Sequence, residues 1–182
     1  MPIVMKKAIL FALLGGIILF AWQFLSWAMP NFHKTAQQYT TAQDEILQAI
    51  QNSGLKKGMY VLGQPDPKLP KEQYDAAMQK YEGKPWAVLN YHEQNKTGMA
   101  MNMIRGFIMM VLVSLLFFWL VRQQKDPTLI KRIMLGLAIG MIGFMFIPYA
   151  YFIWFKAPDI WAYLLDGAAP WVLLGWLGHK LA

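Results

Sequence analysis

Few residues of this chain carry polar chemistry, and several of those stand where polarity is expensive. Arg105 and Asp166 each interrupt a long apolar stretch, and Asn102, Ser26 and Gln23 are further polar groups among apolar neighbours. A lone charge in hydrocarbon is costly, so it finds a partner, a cavity or a route to the headgroups. Counted inward from one side, both charges fall at similar depth, about 9–11 Å below the interface at about 1.5 Å per residue. Three arrangements fit. Arg105 and Asp166 pair inside a helical bundle, with Asn102, Ser26 and Gln23 as polar company. Alternatively, Arg105 snorkels to lipid phosphates while the Asp166 helix starts lower. In the third, the two residues line a substrate or proton path. A pair would serve a purely structural role equally well.

A second constellation has the elements of a soft metal site. Met99 and Met103 share a helix face, thioethers suit copper(I), and His33 and His92 stand at opposite ends of the polar segment between two apolar stretches. A copper or haem site there would draw on those four residues. Against it, Met101 points away from Met99 and Met103 on a helix, so the three cannot converge. Methionines packing or facing lipid are the ordinary explanation. No cofactor is expected.

The elements that position these residues follow from hydropathy. The chain has 182 residues, 57% of them hydrophobic, and the apolar ones arrive in blocks rather than with the period of a globular core. A membrane crossing takes about 20 apolar residues. Four stretches reach that length, namely Ala8 to Met29, Met99 to Val121, Ile133 to Phe155, and Asp159 to Gly178. The last tolerates Asp166, Gly167 and Pro170. Lys6-Lys7 before the first stretch also fits a cleaved signal peptide, but the apolar run is longer than a signal core and carries Trp22 and Trp27 at belt positions. It reads as an uncleaved helix.

Direction comes from the short flanks. Lys6, Lys7, Arg122, Lys125, Lys131, Arg132 and Lys180 fall on one side, against Lys156 and Asp159 on the other. The positive-inside rule makes both termini and the 122–132 loop cytoplasmic, and residues 30–98 external. This explains most of the +7 charge without nucleic acid, for which no basic groove or aromatic RNA-binding motif is present. The absence of cysteine excludes disulfides, thiolate metal sites and a cysteine nucleophile.

Within 30–98, Tyr39, Ala42, Ile46, Ala49 and Ile50 mark a helix over Thr35–Asn52, with Gly54 as its stop. Met59–Leu62 reads as a strand, the proline-rich 64–70 segment as a turn, Lys71–Tyr81 as a second helix and Trp86–Tyr91 as a second strand. Gly136, Gly140 and Gly143 form a small-residue stripe for close helix packing, and Gly15-Gly16 carry the same weight. Pro148 and Pro170 are candidate kinks. No H-E-x-x-H, G-x-S-x-G or phosphate loop occurs, so nothing supports catalysis.

The stretches Gly15-Gly16, Ser26-Trp27-Ala28-Met29-Pro30, His33 and Gly58-Met59-Tyr60-Val61-Leu62, with Asp166 in the last span, resemble a family of small bacterial four-span membrane proteins of unknown activity. Here Gly63 and Gln64 intervene before Pro65 where such proteins place proline directly. The resemblance implies a shared fold and no catalytic residues.

The expectation is therefore an all-α bundle of four transmembrane helices in a bacterial inner membrane. It divides into 1–29 (tail and first span), 30–98 (a small periplasmic α+β domain), 99–121, the 122–132 loop, 133–155 and 156–182. The expected role is a non-enzymatic accessory, assembly or interaction subunit, contacting membrane lipids and a protein partner or further copies of itself. A small oligomeric transporter using Arg105 and Asp166 is the alternative, and a periplasmic-face metal handler the third.

Overall fold

The computed structural model describes residues 3–96 and 98–182. Contacts divide them into two compact units, one made of the residues up to 38 together with those from 98 onward, the other of the residues between.

The first unit is helical. Helix α1 (Ile3–Trp27), α4 (Met99–Arg122), α5 (Leu129–Phe146) running on into α6 (Pro148–Phe155), and α7 (Ile160–Asp166) with α8 (Ala169–Leu181) give four stretches long and apolar enough to cross a membrane. Helix α1 packs antiparallel along α4, and α5 along α8. Glycine sets both seams. A Cβ on Gly15 or Gly16 would meet Ser114 Oγ at 2.7 Å or Val111 Cγ2 at 2.6 Å, and one on Gly175 would meet the Arg132 carbonyl at 2.7 Å. Gly136 and Gly140 approach the backbone carbonyls of Trp171 and Gly167 just as closely. Gly143 does not belong to this seam, because nothing lies within 4 Å of the position its Cβ would take. Gly140 already meets Gly167 at the break between α7 and α8, and Gly143 lies a turn beyond it, where no neighbour comes close. Phe11, Leu19, Phe117, Phe118, Val121, Leu174 and Leu177 fill the centre.

Several boundaries differ from the sequence expectation. Helix α1 starts at Ile3 rather than Ala8 and ends at Trp27, two residues short of Met29. The 122–132 loop is shorter, since α5 starts at Leu129, where the Thr128 hydroxyl accepts from Lys131 N at 3.3 Å as an N-cap. Arg132 is thereby inside the helix and buried, 6% exposed, with Nη1 donating to the Gly178 carbonyl near the end of α8. Cations stabilise such C-terminal carbonyls. The prolines act as breaks rather than bends. Pro148 opens α6 after Ile147, and Pro170 stands in the first turn of α8, just past the Gly167–Ala168 interruption.

The second unit contains α2 (Gln43–Asn52), β1 (Gly58–Leu62), α3 (Lys71–Met78) and β2 (Ala87–Tyr91) in the expected helix, strand, helix, strand order. The strands pair antiparallel, with Tyr60 opposite Leu89. The helix expected over Thr35–Asn52 forms only from Gln43. Thr40 turns its hydroxyl to Ala42 N at 3.3 Å, competing with helix formation, and Lys34–Ala36 makes a separate 3-10 turn. Helix α3 stops at Met78 rather than Tyr81, in turns closed from Lys80 N to Ala77 O and from Tyr81 N to Met78 O. Seven lysines and seven acidic residues balance over 39–96, so the whole net charge of +7 resides outside this unit.

Candidate functional site

The polar centre of the helical unit forms where α1 ends. Ser26 lies in its last turn, and the chain then reverses, with Phe32 N donating to the Ser26 carbonyl at 2.7 Å. Asn31 takes a left-handed conformation, φ 59°, which asparagine tolerates better than most residues. This reversal brings His33 back over the helix it has just left. The imidazole is fully buried, stacked on Trp27 at 3.9 Å between centroids and met edge-on by Tyr163 at 4.5 Å.

Asp166, the last residue of α7, stands at the centre. Its Oδ1 accepts from Trp22 Nε1 at 2.9 Å and from Ser26 Oγ at 2.7 Å, while His33 Nε2 lies 3.0 Å from Oδ2. Against an ionised carboxylate, which only accepts, Nε2 is the donor. Nδ1 is then left buried without a partner among the described residues. The same two segments meet again one step along. The Thr35 hydroxyl donates to the Asp159 carboxylate, and Ala36 N donates to its Oδ2 at 2.9 Å. Two carboxylates ahead of the last helices thus tie down the chain that leaves the first.

The arrangement does not make a nucleophile. In a serine relay the imidazole takes the hydroxyl proton and the carboxylate steadies the imidazole. Here Ser26 and His33 both point at Asp166, each on a different oxygen, so no base is positioned on the hydroxyl. What the geometry does is hold an acidic group inside an apolar bundle with three donors from one chain.

The residues singled out from sequence fall in different places. Ser26 and Asp166 are joined directly. Arg105 is exposed and is not among Asp166's partners. Antiparallel packing of Gly15 with Ser114, Gly16 with Val111 and Phe20 with Phe107 puts Arg105 level with Gln23, one turn from Ser26, without pairing it to Asp166. Trp22, Ser26 and His33 supply the donors to the carboxylate instead, while Arg105 lies exposed on α4. Asn102 and Gln23 are exposed on their helices. Of the metal candidates, His33 is committed to Asp166, His92 is exposed just after β2 in the other unit, and Met99 and Met103 are exposed on α4. Among the described residues no cluster of three or more His, Cys, Asp or Glu could hold a metal ion.

Trp22 and the His33–Asp166 contact were not anticipated. One signal for Trp22 was available, since Phe11, Gly15, Leu19, Trp22 and Ser26 repeat at four and three residues and share the inner face of α1. His33 had none, because its position depends on the reversal after α1. No protein-family model, curated protein or solved structure matches the chain.

Proposed function

We propose that the protein is a multi-pass component of a bacterial inner membrane that works as a non-enzymatic accessory or interaction subunit, its 39–97 unit lying outside the cell membrane. The observation that carries this reading is the state of Asp166. The one acidic group within the apolar helices is bound by Trp22, Ser26 and His33 of its own chain, as a latch requires and a transport path does not. The latch holds the exit of α1 against α7.

Other features support the same threading. Gly178 packs near Val121 and Phe11, so the ends rich in Lys6, Lys7, Arg122, Lys125 and Lys180 gather at one end of the helical unit, opposite the His33–Asp159 end. By the positive-inside rule that end is cytoplasmic. Large apolar side chains such as Ile17, Phe24, Ile108, Leu116 and Ile142 face outward, as lipid contact requires. Arg105, exposed at the level of Gln23, extends to the headgroups. In the 39–97 unit, β1 and β2 pair only with each other among the described residues, and Leu62, Trp86 and Val88 are exposed, which suits contact with a protein partner.

Site-specific photocrosslinking in living cells tests the role. A photoreactive residue at Val88 is expected to give one discrete, saturable protein adduct, while one at the exposed Gln79, just past the end of α3, gives none. Adducts to lipid alone, or a smear of unrelated proteins from both positions, would refute the interaction role. The transporter alternative draws on a cavity of about 200 Å³ beside Asp166. It requires solute or proton flux in liposomes holding the purified protein, abolished by Asp166→Asn.

A further inference from the structure

We propose that a cleft in the flank of the helical unit holds one zwitterionic aminophospholipid, its ammonium on Asp166 and one acyl chain along α4. Two cavities stand side by side there and share Val113 and Trp171 in their walls. The first, about 200 Å³, is polar at one end, where Trp22, Gln23 and Asp166 line it. The second, about 210 Å³, is walled by apolar side chains including Leu116, Leu120 and Ile139. The first lies among α1, α4 and the α7–α8 junction, and the second where α4 and α5 barely meet. A polar head pocket joined to an apolar trough has the shape of an amphiphile.

The head chemistry follows from the groups present. A carboxylate offers about four lone-pair positions, and three of Asp166's are taken. Its side chain keeps 25% exposure, so one position is left for a donor entering from the cavity. Gln23 is exposed on the same wall and has no hydrogen-bond partner among the described residues, so its amide is free for a group in the cavity. Its amide would donate to a phosphate or ester oxygen. An acceptor carboxylate beside a donor amide matches an ammonium beside a phosphate, and the indoles of Trp22 and Trp171 add cation–π attraction. Depth agrees as well. Asp166 binds Ser26 in the last turn of α1, between the belt residues Trp22 and Trp27, so the head sits at headgroup level while Leu120 leads the chain inward.

The proposal rests on the membrane reading, and one experiment separates their failures. The protein is reconstituted in nanodiscs of equimolar phosphatidylethanolamine, phosphatidylcholine and phosphatidylglycerol, and lipids retained through mild activation are counted by native mass spectrometry. The wild type should keep one phosphatidylethanolamine with a roughly tenfold preference over phosphatidylcholine, which cannot donate an N–H. Val113→Trp, in the wall common to both cavities, should abolish that retention while leaving the Asp166 donors and the thermal melt in place. Leu116→Trp, which closes only the trough, should weaken it in the same direction. Asp166→Asn should erase the preference. Equal retention of the two lipids by the wild type, or an undiminished preference in both tryptophan variants, overturns the proposal. Failure of the chain to enter nanodiscs at all would instead overturn the membrane reading.

Discussion

Replacing single glycines on α5 separates residues that look equivalent in sequence. A Cβ on Gly140 would run into the Gly167 carbonyl and the Trp171 ring, and one on Gly136 into the Trp171 carbonyl. The obstacles include backbone atoms, which cannot rotate away, so α5 and α8 must separate. Overpacking of this kind costs about 1–3 kcal/mol, against which alanine returns at most about 1 kcal/mol of helix propensity. The net loss for Gly136→Ala or Gly140→Ala is roughly 1–2 kcal/mol, and a chain of this size loses about 2–4 °C of melting temperature per kcal/mol. Gly143→Ala meets nothing within 4 Å, so it should be neutral or raise the melting temperature slightly. Tryptophan fluorescence melts of the three variants at one fixed lipid composition give the comparison. Equal destabilisation by Gly143→Ala and Gly140→Ala, or none by either, would refute the α5–α8 seam.

The latch and the flanking charges give further outcomes. Ser26→Ala should cost about 1.5–3 kcal/mol, the range for a hydrogen bond to a charged group, and its effect should not add to that of Trp22→Phe because both donors share Oδ1. Asp166→Ala should cost more than Ser26→Ala, since it leaves Trp22, Ser26 and His33 unsatisfied together. Arg105→Gln should change stability by no more than about 0.5 kcal/mol, because the side chain is exposed and unpaired with Asp166; a loss as large as that of Asp166→Ala would revive the pairing. Arg132→Met should lower the melting temperature through loss of the contact to the Gly178 carbonyl, whereas Lys125→Met should not.

The four long apolar helices were legible from hydropathy alone, and the α4 expectation of Met99–Val121 missed by one residue. The strands were legible from β-branched and aromatic runs bounded by turns, again to within a residue. Ends decided by side-chain hydrogen bonds were harder. Thr128 moved the start of α5 ahead of two basic residues that read as loop, which hid Arg132 as a buried group. Asp166 was visible as an anomaly, but its partners were not, because Trp22, Ser26 and His33 lie 133 to 144 positions away and meet it only after the helices pack. His33 was grouped in sequence with His92, Met99 and Met103 as a metal ligand; the turn at Asn31 buries it against Asp166 instead.

The threading is the claim on which the rest depends, and the chain's lack of cysteine makes it directly measurable. Ser53→Cys and Gln123→Cys each introduce one thiol, the first after α2 and the second between α4 and α5. With a membrane-impermeant maleimide, Ser53→Cys should label in intact spheroplasts, and Gln123→Cys only after the membrane is opened. Labelling of Gln123→Cys in intact spheroplasts, with Ser53→Cys protected until lysis, would contradict the account.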